Sequence, residues 1–332
     1  MPSHRRKPTR NLPNVSPDDP EPSNDIEDAI IGMFRQDADA EAGADVRLGI
    51  GDDACILADG TAWTCDTLVE DVHWDKRLSA GDVGFKALAV STSDLAAMGA
   101  TANWALVAIA LPPVVDTDFV QQLAVGLHEA ANLWGIRVVG GDTTRTSGPI
   151  MITVTIGGRV GANPLLRSGG QVNDDLWVTG HPGLAAGGYL DSSPSEDALK
   201  ALRRPKPPVR FARALSTLGL ASAAMDLSDG LASDLPRLCR ASTLGASIDP
   251  QRLPTHATLA NDGDSRRRKL TGGDDYELLF SAPKVHRDAI EALARTHDVT
   301  VSSFGSLTRE PTIHVAGGGW PTPIYEHFQA AQ

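Results

Sequence analysis

The sequence predicts two domains, each α/β or α+β. Its 332 residues are long for a single hydrophobic core. Short apolar runs alternate with segments of helical period in both halves. Carboxylates also recur beside glycine or hydroxyl residues at the ends of apolar runs. These stretches are Gly49-Ile50-Gly51-Asp52-Asp53-Ala54, Thr64-Cys65-Asp66-Thr67, Ser93-Asp94, Gly140-Gly141-Asp142, Asp226-Leu227-Ser228-Asp229 and Gly272-Gly273-Asp274-Asp275.

Residues 1–23 combine Pro, Ser and charge without apolar period and read as a disordered tail. Asn24 with Glu27 resembles a capping box, after which Ile26, Ile30, Met33 and Phe34 recur at helical spacing. Ala54–Leu57 and Trp63–Cys65 read as strands delivering Asp53 and Asp66. Asp82 is expected to cap a helix reaching about Met98, with Val83, Lys86, Val90 and Asp94 roughly on one side. Trp104–Leu111 is a continuous apolar run, hence a buried strand. Asp116 caps a helix through Phe119, Leu123, Leu127 and Trp134, and Arg137–Val139 is the next strand. Gly140-Gly141 after it suggests a tight turn. Ile150–Ile156 alternates like a strand, and Arg167-Ser168-Gly169-Gly170 has the composition of an interdomain hinge.

In the second half, Leu176–Thr179, Ala223–Leu227, Leu278–Phe280, Val299–Ser303 and Thr312–Val315 read as strands. Helices are expected over Gly183–Leu190, Val209–Leu218 and His286–Arg295, and from Gly230 with Ser228 as its cap. Ser192–Lys200 and Arg203–Pro208 look like a polar connection, and Asn261–Lys269 like a charged surface loop.

The formal net charge of -12 excludes a broad phosphate-neutralising face, so neither nucleic acid nor an anionic membrane is an expected partner. Three cysteines, Cys55, Cys65 and Cys239, form no CxxC pair, which suits a reducing cytoplasm. No apolar run approaches the ~18–20 residues that span a bilayer. Gly49-x-Gly51-x-x-Ala54 formally matches a dinucleotide fingerprint, but a strand-like run follows it where a helix is required. No GxxxxGK[ST] loop occurs either. If the acidic loops converge, they need divalent cations, which hard oxygen ligands hold well. A Mg-nucleotide enzyme meets that need. For His73 the local sequence leaves a structural and a substrate-contacting role open; for Arg167 it leaves a domain-junction salt bridge and a phosphate clamp open.

These motifs, with Asp66-Thr67-Leu68-Val69, Lys86-Ala87-Leu88-Ala89-Val90, Ser93-Asp94-Leu95-Ala96-Ala97-Met98-Gly99-Ala100, Asp226-Leu227-Ser228-Asp229-Gly230 and Gly272-Gly273-Asp274-Asp275-Tyr276-Glu277-Leu278, resemble the thiamine-monophosphate kinase family. That family lies within the aminoimidazole-ribonucleotide synthetase superfamily. The resemblance runs in order from about residue 25 to the C-terminus. It implies ATP-dependent phosphorylation of thiamine monophosphate to thiamine diphosphate with several Mg2+ ions, by a cytoplasmic homodimer. It also implies a tail over 1–23, an N-terminal ATP- and metal-binding dimerisation domain over 24–162 whose sheet forms a dimeric barrel, and a C-terminal α/β domain over 163–332. Asp53, Thr64, Cys65, Asp66, Asp94, Asp142, Asp226 and Asp229 fall on metal positions. Gly141, Asp142, Arg167 and Ser228 fall on nucleotide positions, and His73, Asp274 and Tyr325 on substrate positions. No residue is assigned as acid or base.

Three residues depart from the family pattern: Cys65 stands where Thr is usual, Asp274 where Glu is usual and Asp71 where Gly is usual. At Cys65 a main-chain carbonyl can still serve as ligand. The alternatives are a sister synthetase of the same superfamily or a non-catalytic thiamine-phosphate or nucleotide sensor. No reactive cysteine precedes Cys55 and none ends the chain, as the selenophosphate and hydrogenase-maturation relatives would require.

Overall fold

The structure is a computed structural model that describes residues 26–34, 45–259 and 264–321. The expected tail, the capping residue Asn24, residues 261–263 of the expected charged loop and Tyr325 lie outside the described residues. Helix α1 (Ile26–Phe34) belongs to a small compact unit distinct from the unit Asp39–Tyr325.

The larger unit is built on two six-stranded mixed sheets. Strands β1 (Val46–Leu48), β2 (Cys55–Leu57), β3 (Thr61–Val69), β4 (Thr101–Leu111), β5 (Arg137–Arg145) and β6 (Met151–Arg159) make the first, in the order β1-β2-β3-β6-β4-β5. Only β4 and β5 pair in parallel, and helix α3 (Thr117–Trp134) is the crossover that such pairing requires. Asp116 caps α3 as expected, accepting from Asp118 N at 2.9 Å.

Helix α2 (Ala80–Ala97) lies over this sheet and is buried almost all round, which its composition of Ala, Val, Leu and small polar residues permits. Its N-cap is Ser79. Asp82, expected there, is the third helical residue and closes a capping box with Ser79. Helices α2 and α3 approach closely enough that a Cβ on Gly84 would sit 2.0 Å from Leu123 O, and one on Gly126 would sit 1.8 Å from Gly81 O. Leu68, Ile152, Val154 and Ile156 of the sheet and Leu88 and Leu95 of α2 share one core.

The second sheet has the order β12-β9-β11-β7-β10-β8, with β7 (Asp175–Thr179), β8 (Ala223–Leu227), β9 (Gly245–Ile248), β10 (Glu277–Ala282), β11 (Val301–Thr308) and β12 (Ile313–Val315). Its helices are α4 (Leu184–Leu190), α5 (Glu196–Arg203), α6 (Val209–Thr217), α7 (Leu231–Ala241), α8 (Ser265–Thr271) and α9 (Arg287–His297). Trp177 and Phe280 stack between β7 and β10 inside a core that Phe211 of α6 completes.

Several expectations are corrected. The two-sheet α/β architecture stands, but the first sheet is open and closes into no barrel. Closure requires its two edges to pair, and three-residue β1 and fully exposed β5 end the sheet on opposite sides. The Trp104–Leu111 run is only partly buried, with Leu106 exposed on the solvent side of β4. Gly140 and Gly141 lie inside β5 and make no turn; a Cβ on Gly141 would meet Val107 O of β4 at 1.8 Å. Glu196–Arg203 is a helix capped by Ser195, and residues 265–271 are helical with Arg268 and Lys269 buried. The helix after β8 starts at Leu231 with Gly230 as cap, so Ser228 caps nothing.

Candidate active site

Three of the acidic motifs converge. Asp53 comes from the loop before β2, Asp94 from the last turn of α2 and Asp226 from β8, and one carboxylate oxygen of each lies within 4.8 Å of the others. Each arrives for a local reason. Thr64 and Asp66 share one face of β3 because side chains alternate along a strand, and that face meets α2: the Thr64 hydroxyl donates to Asp94 Oδ2 at 2.5 Å. Asp226 is carried by a fully buried strand and pairs across the ladder with Leu278. The Ser93 side chain hydrogen-bonds its carboxylate.

Arg167 answers this cluster directly. Arg167 donates its Nε to Asp53 Oδ1 at 2.9 Å, and its guanidinium also pairs with the same oxygen. Its main-chain N–H binds Asp52 Oδ2 at 3.0 Å. The imbalance shows in the protonation tendencies. Burial, with Asp66, Asp226 and Asp53 nearby, pushes Asp94 well above the usual carboxylate range. Burial and Asp53 do the same to Asp226, and burial raises Asp53 against the pull of Arg167. Asp52 is pushed up to about 6 by burial and by Asp53. Asp53 Oδ2 and Asp66 Oδ2 are buried without a hydrogen-bond partner, a costly state for an anion that a bound cation would relieve. Crowded hard oxygens and orphaned lone pairs fit a divalent ion of the magnesium type.

Other expected residues are placed differently. The Cys65 side chain falls on the opposite face of β3 from Thr64 and Asp66, where Thr155 donates to its Sγ at 3.3 Å. Asp142 is exposed in β5 opposite Ala108 and lies outside the three-carboxylate group, as does Gly141 beside it. Asp229 is engaged by Arg237, whose Nη1 lies 2.5 Å from Asp229 Oδ2 and 3.1 Å from Asp234 Oδ1. Arg237 also acts electrostatically on Asp53, so it is a second cation in the neighbourhood.

The Ser228 and Gly273 loops touch, since β8 and β10 pair: Asp274 N donates to Ser228 O at 2.7 Å. Asp274 is held by two side chains, Lys86 Nζ at 2.9 Å from Oδ2 and the Tyr276 hydroxyl at 3.1 Å from Oδ1. His73 accepts from Val69 N at its Nδ1, 3.0 Å away, and Lys86 Nζ also lies 3.5 Å from His73 O. Asp71 has φ of 62°, a left-handed conformation in which glycine is unstrained and aspartate tolerated.

Sequence reasoning gave no role to Lys86, Asp52, Ser93 or Arg237. Asp52 and Ser93 stand inside the acidic motifs, and Lys86 is marked by its charge eight residues before Asp94 on an otherwise apolar helix side.

Comparison with known proteins agrees with this geometry. Residues 51–160 match the family model described as AIR synthase related protein, N-terminal domain, and residues 171–317 match the corresponding C-terminal domain. The chain is 36% identical over 306 residues to the thiamine-monophosphate kinase of Salmonella typhimurium, covering 86% of this chain and 93% of that one. The crystal structure of thiamine-monophosphate kinase from Stenotrophomonas maltophilia superposes with a TM-score of 0.72 at 35% identity, covering 89% of this chain and 97% of that one. AaThiL, solved in complex with AMPPCP and TMP, superposes with a TM-score of 0.78 at 25% identity, covering 92% of this chain and 97% of that one.

Proposed function

This chain belongs to the thiamine-monophosphate kinase family, and from that premise we propose that it transfers the terminal phosphoryl group of ATP to thiamine monophosphate, giving thiamine diphosphate. The observation that carries the reading is the trio Asp53, Asp94 and Asp226, brought from three separate motifs to within 4.8 Å and met by Arg167.

In this reading Asp53, Thr64, Asp66, Asp94, Asp142, Asp226 and Asp229, with the main-chain carbonyl at Cys65, make up the ligand set for several Mg2+ ions. Bound magnesium would supply charge neutralisation for the phosphates. Arg167, Gly141 and Ser228 face the nucleotide, and His73, Asp274 and Tyr325 face the acceptor. Arg167 is held by Asp53 on one side, which orients its planar fork toward phosphate oxygens. The nucleophile is a phosphate oxygen of the acceptor, already anionic near neutral pH, so no side chain is needed as general base. With a loose transition state, positioning and charge carry most of the rate.

The two sheets serve as the N- and C-terminal domains, meeting where Arg167 reaches the Asp52–Asp53 loop. The chain works as a cytoplasmic homodimer whose interface involves the exposed apolar residues Leu106, Val138, Val139 and Met151. No helix among the described residues is long and apolar enough to cross a membrane.

The test is incubation with ATP, Mg2+ and a panel of phosphorylated acceptors, followed by mass spectrometry. Thiamine diphosphate should be the product, and phosphorylation of another acceptor in preference would point to a sister activity. Light scattering at micromolar concentration should give a dimer; a monomer there removes the oligomer from the proposal.

A further inference from the structure

Lys86 is the least expected residue near the site. It lies in the second turn of a helix buried on nearly every side, and its side chain is 0% exposed. An ammonium in that position is costly to desolvate, and a Met or Leu of similar size would pack there with less penalty. Its two contacts explain its presence. Nζ reaches the Asp274 carboxylate from the second sheet and the main-chain carbonyl of His73 from the first half, the two described residues that fall on acceptor positions. Asp274 is further fixed by the Tyr276 hydroxyl, and both Asp274 and Tyr276 sit at positive φ, 70° and 52°. Such conformations persist only where the surroundings enforce them.

We propose that Lys86 is a positioning residue for the acceptor. It touches no substrate atom. It ties the carboxylate of Asp274 and the carbonyl of His73 to one point on α2, fixing the two walls between which the ring end of the acceptor is recognised. The same helix carries Asp94 eight residues on, ~12 Å along the axis and on the same side. One rigid element therefore sets both the ring end of the acceptor and the carboxylate cluster where its phosphate must react. Asp274, one methylene shorter than the Glu usual in the family, suits this reading, because the shorter arm is drawn back to the ammonium. The inference rests on the assignment of His73 and Asp274 to the acceptor pocket.

The experiment compares Lys86→Met, Lys86→Gln, Asp274→Asn, Tyr276→Phe and the Lys86→Met/Asp274→Asn double variant in the full chain. Steady-state kinetics and calorimetric titration with thiamine monophosphate are the readouts. Lys86→Met and Lys86→Gln should raise KM and Kd for thiamine monophosphate ~10-fold while KM for ATP and kcat stay within about threefold, and the double variant should bind no more weakly than Asp274→Asn alone. Losses that multiply in the double variant, an equal rise in KM for ATP, or unchanged acceptor binding in a folded Lys86 variant overturn the proposal. Asp274→Asn alone tests the pocket assignment: unchanged acceptor binding there removes the assignment, and the inference with it. If neither Lys86 variant folds, Tyr276→Phe decides. It removes the other donor to the same carboxylate, and an unchanged Kd overturns the claim that fixed donors set the pocket.

Discussion

The cluster at Asp53, Asp94 and Asp226 and the network at Asp274 lie along the same helix, yet they are electrostatically opposite. Around Asp274 one carboxylate meets one ammonium and one hydroxyl, and both its oxygens are bonded. In the cluster, three carboxylates with Asp66 close by face Arg167, and two oxygens have no partner. The balanced group needs no ion from outside, and its bonds hold the Asp274 carboxylate in a fixed place. The unbalanced one is incomplete without a cation from outside.

The largest test of this contrast is neutralisation of the cluster. Asp53→Asn and Asp226→Asn keep shape and hydrogen-bonding capacity but remove a negative charge, and turnover should fall at least ~100-fold, equivalent to ~2.7 kcal/mol in the barrier. The metal-free Asp226→Asn protein should melt no lower, since that change relieves repulsion, whereas Asp53→Asn also takes the partner from Arg167. Turnover across a Mg titration and melting without metal measure both. Near-normal turnover at ordinary Mg in folded variants would sink the multi-metal mechanism.

Removing the cation should shift metal affinity the opposite way. Arg167→Met leaves Asp53 without its counter-ion, so the cluster becomes more negative and half-saturation by Mg should move to lower concentration. Turnover should still fall, by ~10-fold, because the guanidinium no longer meets phosphate. If the variant needs more Mg than the parent, the charge imbalance argued here is wrong.

What the sequence made legible was local. Strands ending in acidic motifs and the amphipathic helices were visible because their periodicity and caps lie within a few residues, as at Asp116. Glu196–Arg203 was passed over although Ser195, Glu196 and Lys200 carry its capping and charge signals; the surrounding prolines and serines dominated the pattern. Strand β9, four residues of GASI, is too short to show a period. The aspartates of the trio were named as candidates, but that they meet one another, and that Asp229 is turned to Arg237, depends on pairing between remote segments. So does the union of Lys86 with Asp274. The open first sheet is a similar case, since no local feature records which edges pair. Asp71 shows the reverse: its departure from glycine becomes intelligible once its backbone is seen to be left-handed.

Glu277 offers a milder test in a third setting, a buried carboxylate bonded by Thr179, whose hydroxyl lies 2.5 Å from Oε2. Burial pushes it up from 4.5 to about 7, offset in part by that bond. A raised folded-state value means the folded protein binds the proton more tightly. The stabilisation is therefore complete below the unfolded value and is lost as pH rises through about 7. Between about pH 6 and pH 8 the loss should be on the order of 1 kcal/mol, a few degrees at most in melting temperature. Glu277→Gln should abolish that slope, and parallel melting curves for parent and variant against pH would contradict it.

The smallest expected effect concerns Cys65. It lies between Thr64 and Asp66 in the chain, and the family resemblance puts all three on metal positions. Strand alternation separates them: Thr64 bonds Asp94 toward α2, while Cys65 accepts from Thr155 on the exposed face. Any part this residue takes in holding metal must come from its main chain, which a side-chain change leaves intact. Cys65→Thr, which restores the family's usual residue, should therefore alter turnover by less than about twofold and leave the Mg titration unmoved, and Cys65→Ala should behave alike. Thr64→Val is the matched control on the inward face. It removes a hydroxyl bonded directly to Asp94 and should shift the Mg dependence measurably. If the Cys65 variants changed the Mg requirement as much as Thr64→Val, the two faces of β3 would not be functionally distinct, and the balance drawn around the cluster would have to include the thiol.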